Sequence, residues 1–219
     1  MRQIKMQNNL KKSRQFSISG LYAVTPDSLN TELLCEKVLA ALQGGTNLVQ
    51  YRNKAADAGL RLRQATALLA LCRSFNVPLI INDHLDLCAQ IDADGLHLGA
   101  SDCDIGAARR LLGDSKIIGA SCYNQLDLAI KAEQAGASYV AFGACFASNT
   151  KPNATVASLD LFARTKTELT VSAVAIGGIT LQNAASVIQA GANAIAVINA
   201  IFNANNVKST TQQFSQLFT

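Results

Sequence analysis

Five charged side chains in this sequence lie just beyond short apolar runs. Arg52 and Lys54 follow the run at 47–51, and Asp83 follows the run at 78–81, next to Asn82. Asp102 lies beyond the run at 95–98, and Lys151 beyond the run at 139–142. Arginine offers a planar fork of donors and lysine a compact charge, a combination that suits a polyphosphate. Two carboxylates near an asparagine suit Mg2+, a hard ion that takes oxygen ligands and bridges to substrate phosphate. Read together, the five describe a Mg2+–diphosphate site. Read singly, each serves as well as half of a rim salt bridge.

Gly177-Gly178 is a second signal. Two glycines ahead of a predicted helix expose backbone N–H groups that can cradle a monophosphate, or simply make a tight turn. His84 and His97 are the only histidines. Neither adjoins a Ser or Cys in a nucleophile motif, and they lack the spacing of a zinc pair. His97, on either the inward or the outward face of its strand, reads as a packed, hydrogen-bonded side chain rather than a catalyst.

These residues need elements to hold them. Eight short apolar runs can be marked, at 20–24, 47–51, 78–81, 95–98, 117–120, 139–142, 171–176 and 194–197. Ala- and Leu-rich stretches with helical spacing separate them, such as Leu60, Ala65, Leu68 and Leu71. A joint recurs three times, at Gly44-Gly45, Gly136 and Gly191: a helix end, a glycine suited to a left-handed cap, then a buried strand. Eight strands alternating with helices predict a single (β/α)8 TIM barrel, whose active site lies at the carboxyl ends of the strands. The first joint, Thr25-Pro26-Asp27, lacks Gly-x-Gly-x-x-Gly, which counts against a dinucleotide-binding sheet.

Composition agrees. Of 219 residues, 49% are hydrophobic and 16% charged, with no Trp, so the core must be Ala, Val, Ile and Leu. Residues 1–15 carry Arg2, Lys5, Lys11, Lys12 and Arg14 without an acid. They read as a disordered basic tail ahead of a catalytic barrel at 16–219. Without that tail the formal charge of +4 falls close to neutral, which argues against a nucleic-acid partner. No apolar run reaches a membrane span, and the start lacks a secretory h-region, so a cytoplasmic location is expected. The six cysteines form no Cys-x-x-Cys pair and read as small buried hydrophobes. A homo-oligomer is compatible with all of this.

The segments taken in order resemble the thiamine phosphate synthase family over roughly 21–201. The resemblance rests on Leu21-Tyr22-Ala23-Val24-Thr25, Val49-Gln50-Tyr51-Arg52-Asn53-Lys54 and Ile81-Asn82-Asp83. It continues through Asp94-Gly95-Leu96-His97-Leu98-Gly99, Asp102 and Gly119-Ala120-Ser121. It closes with Gly143, Thr150-Lys151, Ile176-Gly177-Gly178-Ile179 and Ala196-Val197-Ile198. The resemblance implies coupling of a hydroxymethylpyrimidine diphosphate to a thiazole phosphate, with release of diphosphate. It implies that Gln50, Arg52, Lys54, Asn82 and Lys151 hold the pyrimidine diphosphate and that Asp83 and Asp102 bind Mg2+. Ser121 would lie by the pyrimidine or leaving group, making Arg52, Lys54, Ser121 and Lys151 the catalytic set. Ser148, Thr150, Gly178, Ile198 and Asn199 would surround the thiazole phosphate. Three positions depart from the family's habit: Ala100 stands for Gln, Ser148 for Thr and Asn199 for Ser.

Such chemistry needs no protein nucleophile. It needs charge stabilisation on departing oxygens and correct placement of a second ring. Rival readings are a thiazole tautomerase on the same barrel, a sugar-phosphate epimerase, and a non-catalytic sensor of a phosphorylated ligand. The tautomerase would use a His shortly after Ser121, where this chain has Cys122-Tyr123-Asn124.

Overall fold

A computed structural model describes residues 16–99, 102–147 and 157–219. The basic segment 1–15, together with Ser148, Thr150 and Lys151, lies outside the described residues. Eight parallel strands close into a barrel in chain order: β1 Gly20–Val24, β2 Leu48–Tyr51, β3 Leu79–Asn82, β4 Gly95–Leu98, β5 Ile117–Tyr123, β6 Tyr139–Phe142, β7 Ser172–Ile176 and β8 Ala194–Val197. The helices between them are α1 Thr31–Gln43, α2 Ala58–Ser74, α3 Leu85–Gln90, α4 Ile105–Leu112, α5 Leu126–Gln134, α6 Asp160–Glu168 and α7 Ala184–Ala190. After β8 come α8 Asn199–Phe202 and α9 Val207–Ser215. The predicted TIM barrel is the observed fold.

Alternation along each strand divides the apolar residues between two cores. Tyr22, Val24, Leu48, Ile80, Ile117, Tyr139 and Val174 fill the barrel interior. Their neighbours, such as Leu21, Ala23, Val49, Ile81 and Ile118, face the helices. Helical spacing supplies the other side of that outer layer: α2 buries Ala65, Leu68, Leu69 and Cys72. Each fully buried Leu or Ile contributes about 1.5–3 kcal/mol of apolar transfer. Helix starts are fixed by side-chain caps, with Asn30 accepting from Leu33 N, Asp57 from Leu60 N, and Asp104 from Ala107 N. Each cap is worth about 1 kcal/mol. The recurring glycine joint takes the left-handed backbone at Gly45, Gly136 and Gly191 (φ 94°, 98° and 122°).

The residue that enters the next strand after each of those joints also locks the barrel. Asn47 Oδ1 accepts from Leu21 N at 3.0 Å while Asn47 N donates to Leu21 O. Ser138 does the same with Ile118, and Asn193 with Ala173. Asp94 accepts from Leu79 N at 3.0 Å. The side-chain bonds therefore join β1 to β2, β3 to β4, β5 to β6 and β7 to β8 at the amino-terminal end of the barrel.

The cysteines are all free; four are buried, and Cys35 and Cys103 are half-buried rather than fully enclosed. Among the described residues no helix is long and apolar enough to cross a membrane.

Candidate active site at the barrel mouth

Continuing the inward alternation past Leu48, Ile80, Gly95 and Gly119 brings Gln50, Asn82, His97 and Ser121 onto the inner face at the carboxyl ends of β2 to β5. His97 thus lies inward, and it is buried. Its Nδ1 is 2.9 Å from Tyr139 Oη, and its Nε2 is 2.9 Å from Ser121 Oγ. Tyr139 Oη lies 2.8 Å from Tyr22 Oη, which accepts from Gln50 Nε2 at 2.9 Å. The His97 and Tyr139 rings stack, with centroids 5.6 Å apart, and Tyr22 meets Tyr139 edge-on. Tyr139 crosses the interior over Gly119, where any Cβ would run into its ring. Burial lifts the pKa of both tyrosines well above the ordinary phenol value and pushes that of His97 down to about 4, so all three rings are neutral at pH 7.

The cations and carboxylates gather around this layer. Thr25, fully buried at the end of β1, accepts from Arg52 N and donates to Arg52 O, which pins the turn after β2. Asp27 then receives Arg52 Nη1 at 3.4 Å and Lys54 N at 2.8 Å. Asp83 adopts a left-handed backbone (φ 63°), which Asp tolerates better than most residues, and its N–H donates to His97 O. Its carboxyl is held above the usual carboxylate range by burial first, then by a hydrogen bond and charge from Asp102, with Lys54 and Asn82 opposing. Asp83, Asp102, Lys54 and Asn82 therefore share one electrostatic environment. Asp102 also accepts from Gly99 N, which ties its loop to the end of β4.

On the opposite rim, Gly177 and Gly178 are both left-handed (φ 98° and 66°). A Cβ at Gly178 would press on Phe146 O and Ala147 O at 2.6 and 2.8 Å, so only glycine lets the β6 loop approach here. The helix expected directly after this pair starts later, at Ala184. A turn intervenes in which Asn183 Oδ1 accepts from Thr180 N and Asn183 Nδ2 donates to Gly178 O. Ile198 and Asn199 stand at the start of α8, just beyond the end of β8, the strand next to β7.

A family model described as thiamine monophosphate synthase matches residues 21–201. The chain belongs to the thiamine monophosphate synthase family. It is 55% identical over 201 residues to a thiamine-phosphate synthase of Methylobacillus flagellatus, covering 92% of this chain and 96% of the relative. It is 52% identical over 204 residues to one of Nitrosomonas eutropha, covering 93% and 96%. Among solved structures it is similar to thiamine phosphate pyrophosphorylase from Pyrococcus furiosus, with a TM-score of 0.82 at 33% identity, covering 91% of this chain and 95% of that one.

Within this thiamine monophosphate synthase scaffold, Gln50, Arg52, Lys54, Asn82, Asp83, Asp102 and Ser121 come together around one side of the mouth. Gly178, Ile198 and Asn199 lie on the other. Sequence reasoning missed Thr25 and Asp27, read only as a joint without a glycine motif, and it missed the tyrosine pair. The signal for Asp27 was its charge at a strand end, the rule that had singled out Asp83. Asp83 and Asp102 fit a divalent cation, because a positive ion between them would offset both the burial and the Asp102 charge that raise Asp83. Among the described residues no cluster of three or more His, Cys, Asp or Glu gathers for a metal. The protein would offer two carboxylates and leave other positions to water and phosphate, the habit of Mg2+.

Proposed function

We propose that this transferase joins a hydroxymethylpyrimidine diphosphate to a thiazole phosphate, releasing diphosphate and forming thiamine phosphate. The observation that carries the reading is the convergence of Arg52, Lys54 and the neighbouring carboxyls of Asp83 and Asp102 on one side of a barrel mouth, facing a glycine-built rim on the other. Arg52 and Lys54 supply positive charge for a departing diphosphate, with Asp27 holding the Arg52 head and the Lys54 backbone in place. Lys151 adds a third cation in the same reading. Mg2+, held by Asp83 and Asp102, would supply charge neutralisation to the leaving phosphates.

Gln50, Asn82 and Ser121 orient the pyrimidine half from the inner face of the barrel. The backbone N–H groups at Gly178 and around Ile198 and Asn199, with the hydroxyls of Ser148 and Thr150, receive the thiazole phosphate. The second ring nitrogen then attacks the carbon that diphosphate leaves, a step that positioning alone accelerates strongly. No protein group needs to become covalently attached. That accords with the neutral, fully bonded His97. The six unpaired cysteines suit a reducing compartment, and substrates this highly charged do not cross membranes unaided, so the reading includes a cytoplasmic location.

Incubation of the purified chain with both heterocycles and Mg2+ should give thiamine phosphate by mass, with one diphosphate per product. Release of diphosphate at the full rate from the pyrimidine substrate alone would contradict coupling. Asp83→Ala should lose Mg2+-dependent turnover while keeping its circular dichroism. An active variant would remove Asp83 from the metal site.

A further inference from the structure

The buried chain Gln50–Tyr22–Tyr139–His97–Ser121 has a property that no single link reveals. Each phenol has one hydrogen to give, a neutral imidazole has one, and a buried hydrogen left unused is costly, so the direction of the first link sets the direction of the rest. Gln50 Nε2 donates to Tyr22 Oη at 2.9 Å. Tyr22 then gives its hydrogen to Tyr139 across 2.8 Å, and Tyr139 gives its own to His97 Nδ1 across 2.9 Å. His97 Nδ1 is therefore bare, and the ring hydrogen resides on Nε2, which donates to Ser121 Oγ at 2.9 Å. Ser121 has received a hydrogen from the ring and cannot return its own.

We propose that His97 is a positioning residue which, through this chain, turns the Ser121 hydroxyl proton out of the barrel interior and into the mouth, as a donor to an acceptor atom of the substrate. The proposal deepens the coupling reaction above and rests on it for the identity of that substrate. A donor at Ser121 fits a ring nitrogen or a phosphate oxygen of a heteroarylmethyl diphosphate, and it does not fit an amino hydrogen. The packing supports a fixed chain: Tyr22 and Tyr139 are almost wholly buried, and the buried imidazole stacks on the Tyr139 ring. An inverted Gln50 amide would reverse every link and place the hydrogen on Nδ1, so that Ser121 donates to Nε2 and offers the substrate only lone pairs.

The test is nitrogen NMR on the full-length, histidine-labelled protein near pH 7.5 without substrate. There are two histidines, so His84→Gln leaves only the His97 signals. The expected result is a pyrrole-type Nε2 and a pyridine-type Nδ1; the opposite pattern overturns the proposal. A double-mutant cycle gives the second readout. Tyr139→Phe should lower kcat for coupling about tenfold, by freeing the tautomer, with little change in KM. In a Ser121→Ala background the same change should have no further effect on kcat. Independent, additive losses would mean that Tyr139 acts only through packing, and they overturn the proposal as well. If Tyr139→Phe does not fold, the tautomer measurement on the unaltered chain still decides. A parent chain without coupling activity sinks the proposed function, whereas the tautomer readout needs no substrate, so the two failures are distinguishable.

Discussion

Arg109 and Arg52 stand at opposite ends of the same barrel. Arg109, in the last turn of α4, makes five hydrogen bonds, to Gly136 O twice and to Gly113 O, Lys116 O and Ser138 Oγ. The Arg52 side chain, at the mouth, has one long contact among the described residues, with Asp27 at 3.4 Å. The first guanidinium is spent on orphan carbonyls where helices hand over to strands. Among the described residues, the second leaves most of its donors uncommitted. The same contrast extends to their surroundings. The amino-terminal end repeats one device every second strand, through Asn47, Asp94, Ser138 and Asn193. At the mouth no such device recurs among the described residues, and the polar groups vary from one strand end to the next. Regularity marks the end that holds the barrel closed, and irregularity marks the end that does chemistry.

The sharpest way to break that division is a pair of single substitutions. Arg52→Ala should lower kcat/KM for coupling by about a hundredfold or more, the cost of one lost charge-stabilising donor. Its unfolding free energy in urea should change by less than about 0.5 kcal/mol, because an exposed ion pair carries little stability. Asn193→Ala should show the reverse. It strips both side-chain and register support from Ala173 N and should cost about 1–3 kcal/mol of stability with kcat unchanged. Parallel effects of the two variants on rate and stability would erase the distinction.

Two pH measurements sharpen it. His97 has its protonation pushed down from 6.5 to about 4 by burial. Unfolding therefore takes up a proton between those values. Stability is fully present above about 6.5 and should fall by about 1.4 kcal/mol per pH unit as pH drops through that window. Urea unfolding at pH 7, 6 and 5 should show the slope, and His97→Asn should flatten it. At the other end, Glu133 accepts from Thr170 N, Thr170 Oγ1 and Val171 N, and these bonds hold its carboxyl below 4.5. Its contribution is present above 4.5 and is lost as pH falls through the lowered value. Glu133→Gln should remove a small part of the acid sensitivity below pH 4.5, the smallest of the four effects, and an unchanged acid profile would count against it.

Local pattern made most of the fold legible. The eight apolar runs correspond to β1 to β8 within a residue or two, except that β5 runs on to Tyr123 through an irregularity after Ser121 that no apolar pattern signals. The left-handed joints were readable because only glycine takes that backbone cheaply. The mouth was readable wherever a charged residue directly follows a strand, as with Arg52, Lys54 and Asp83. The tyrosine pair was not. Tyr22 and Tyr139 are 117 residues apart, and both look like ordinary apolar strand residues until strand tilt brings them together across the interior. Asp27 was hidden for a similar reason. Its partners arrive from the next strand end, and a lone Asp after Pro reads as a turn.

The paired locks at the amino-terminal end divide the closed wall into four two-strand staves. Joints inside a stave, such as the one from α1 to β2 through Asn47, are stitched by a side chain to the strand before, whereas the joint from α2 to β3 through Val77 and Pro78 has no such stitch among the described residues. A circularly permuted chain with its new ends at the α2–β3 joint would therefore keep every stave whole, while one opened at Asn47 would tear a stave in two.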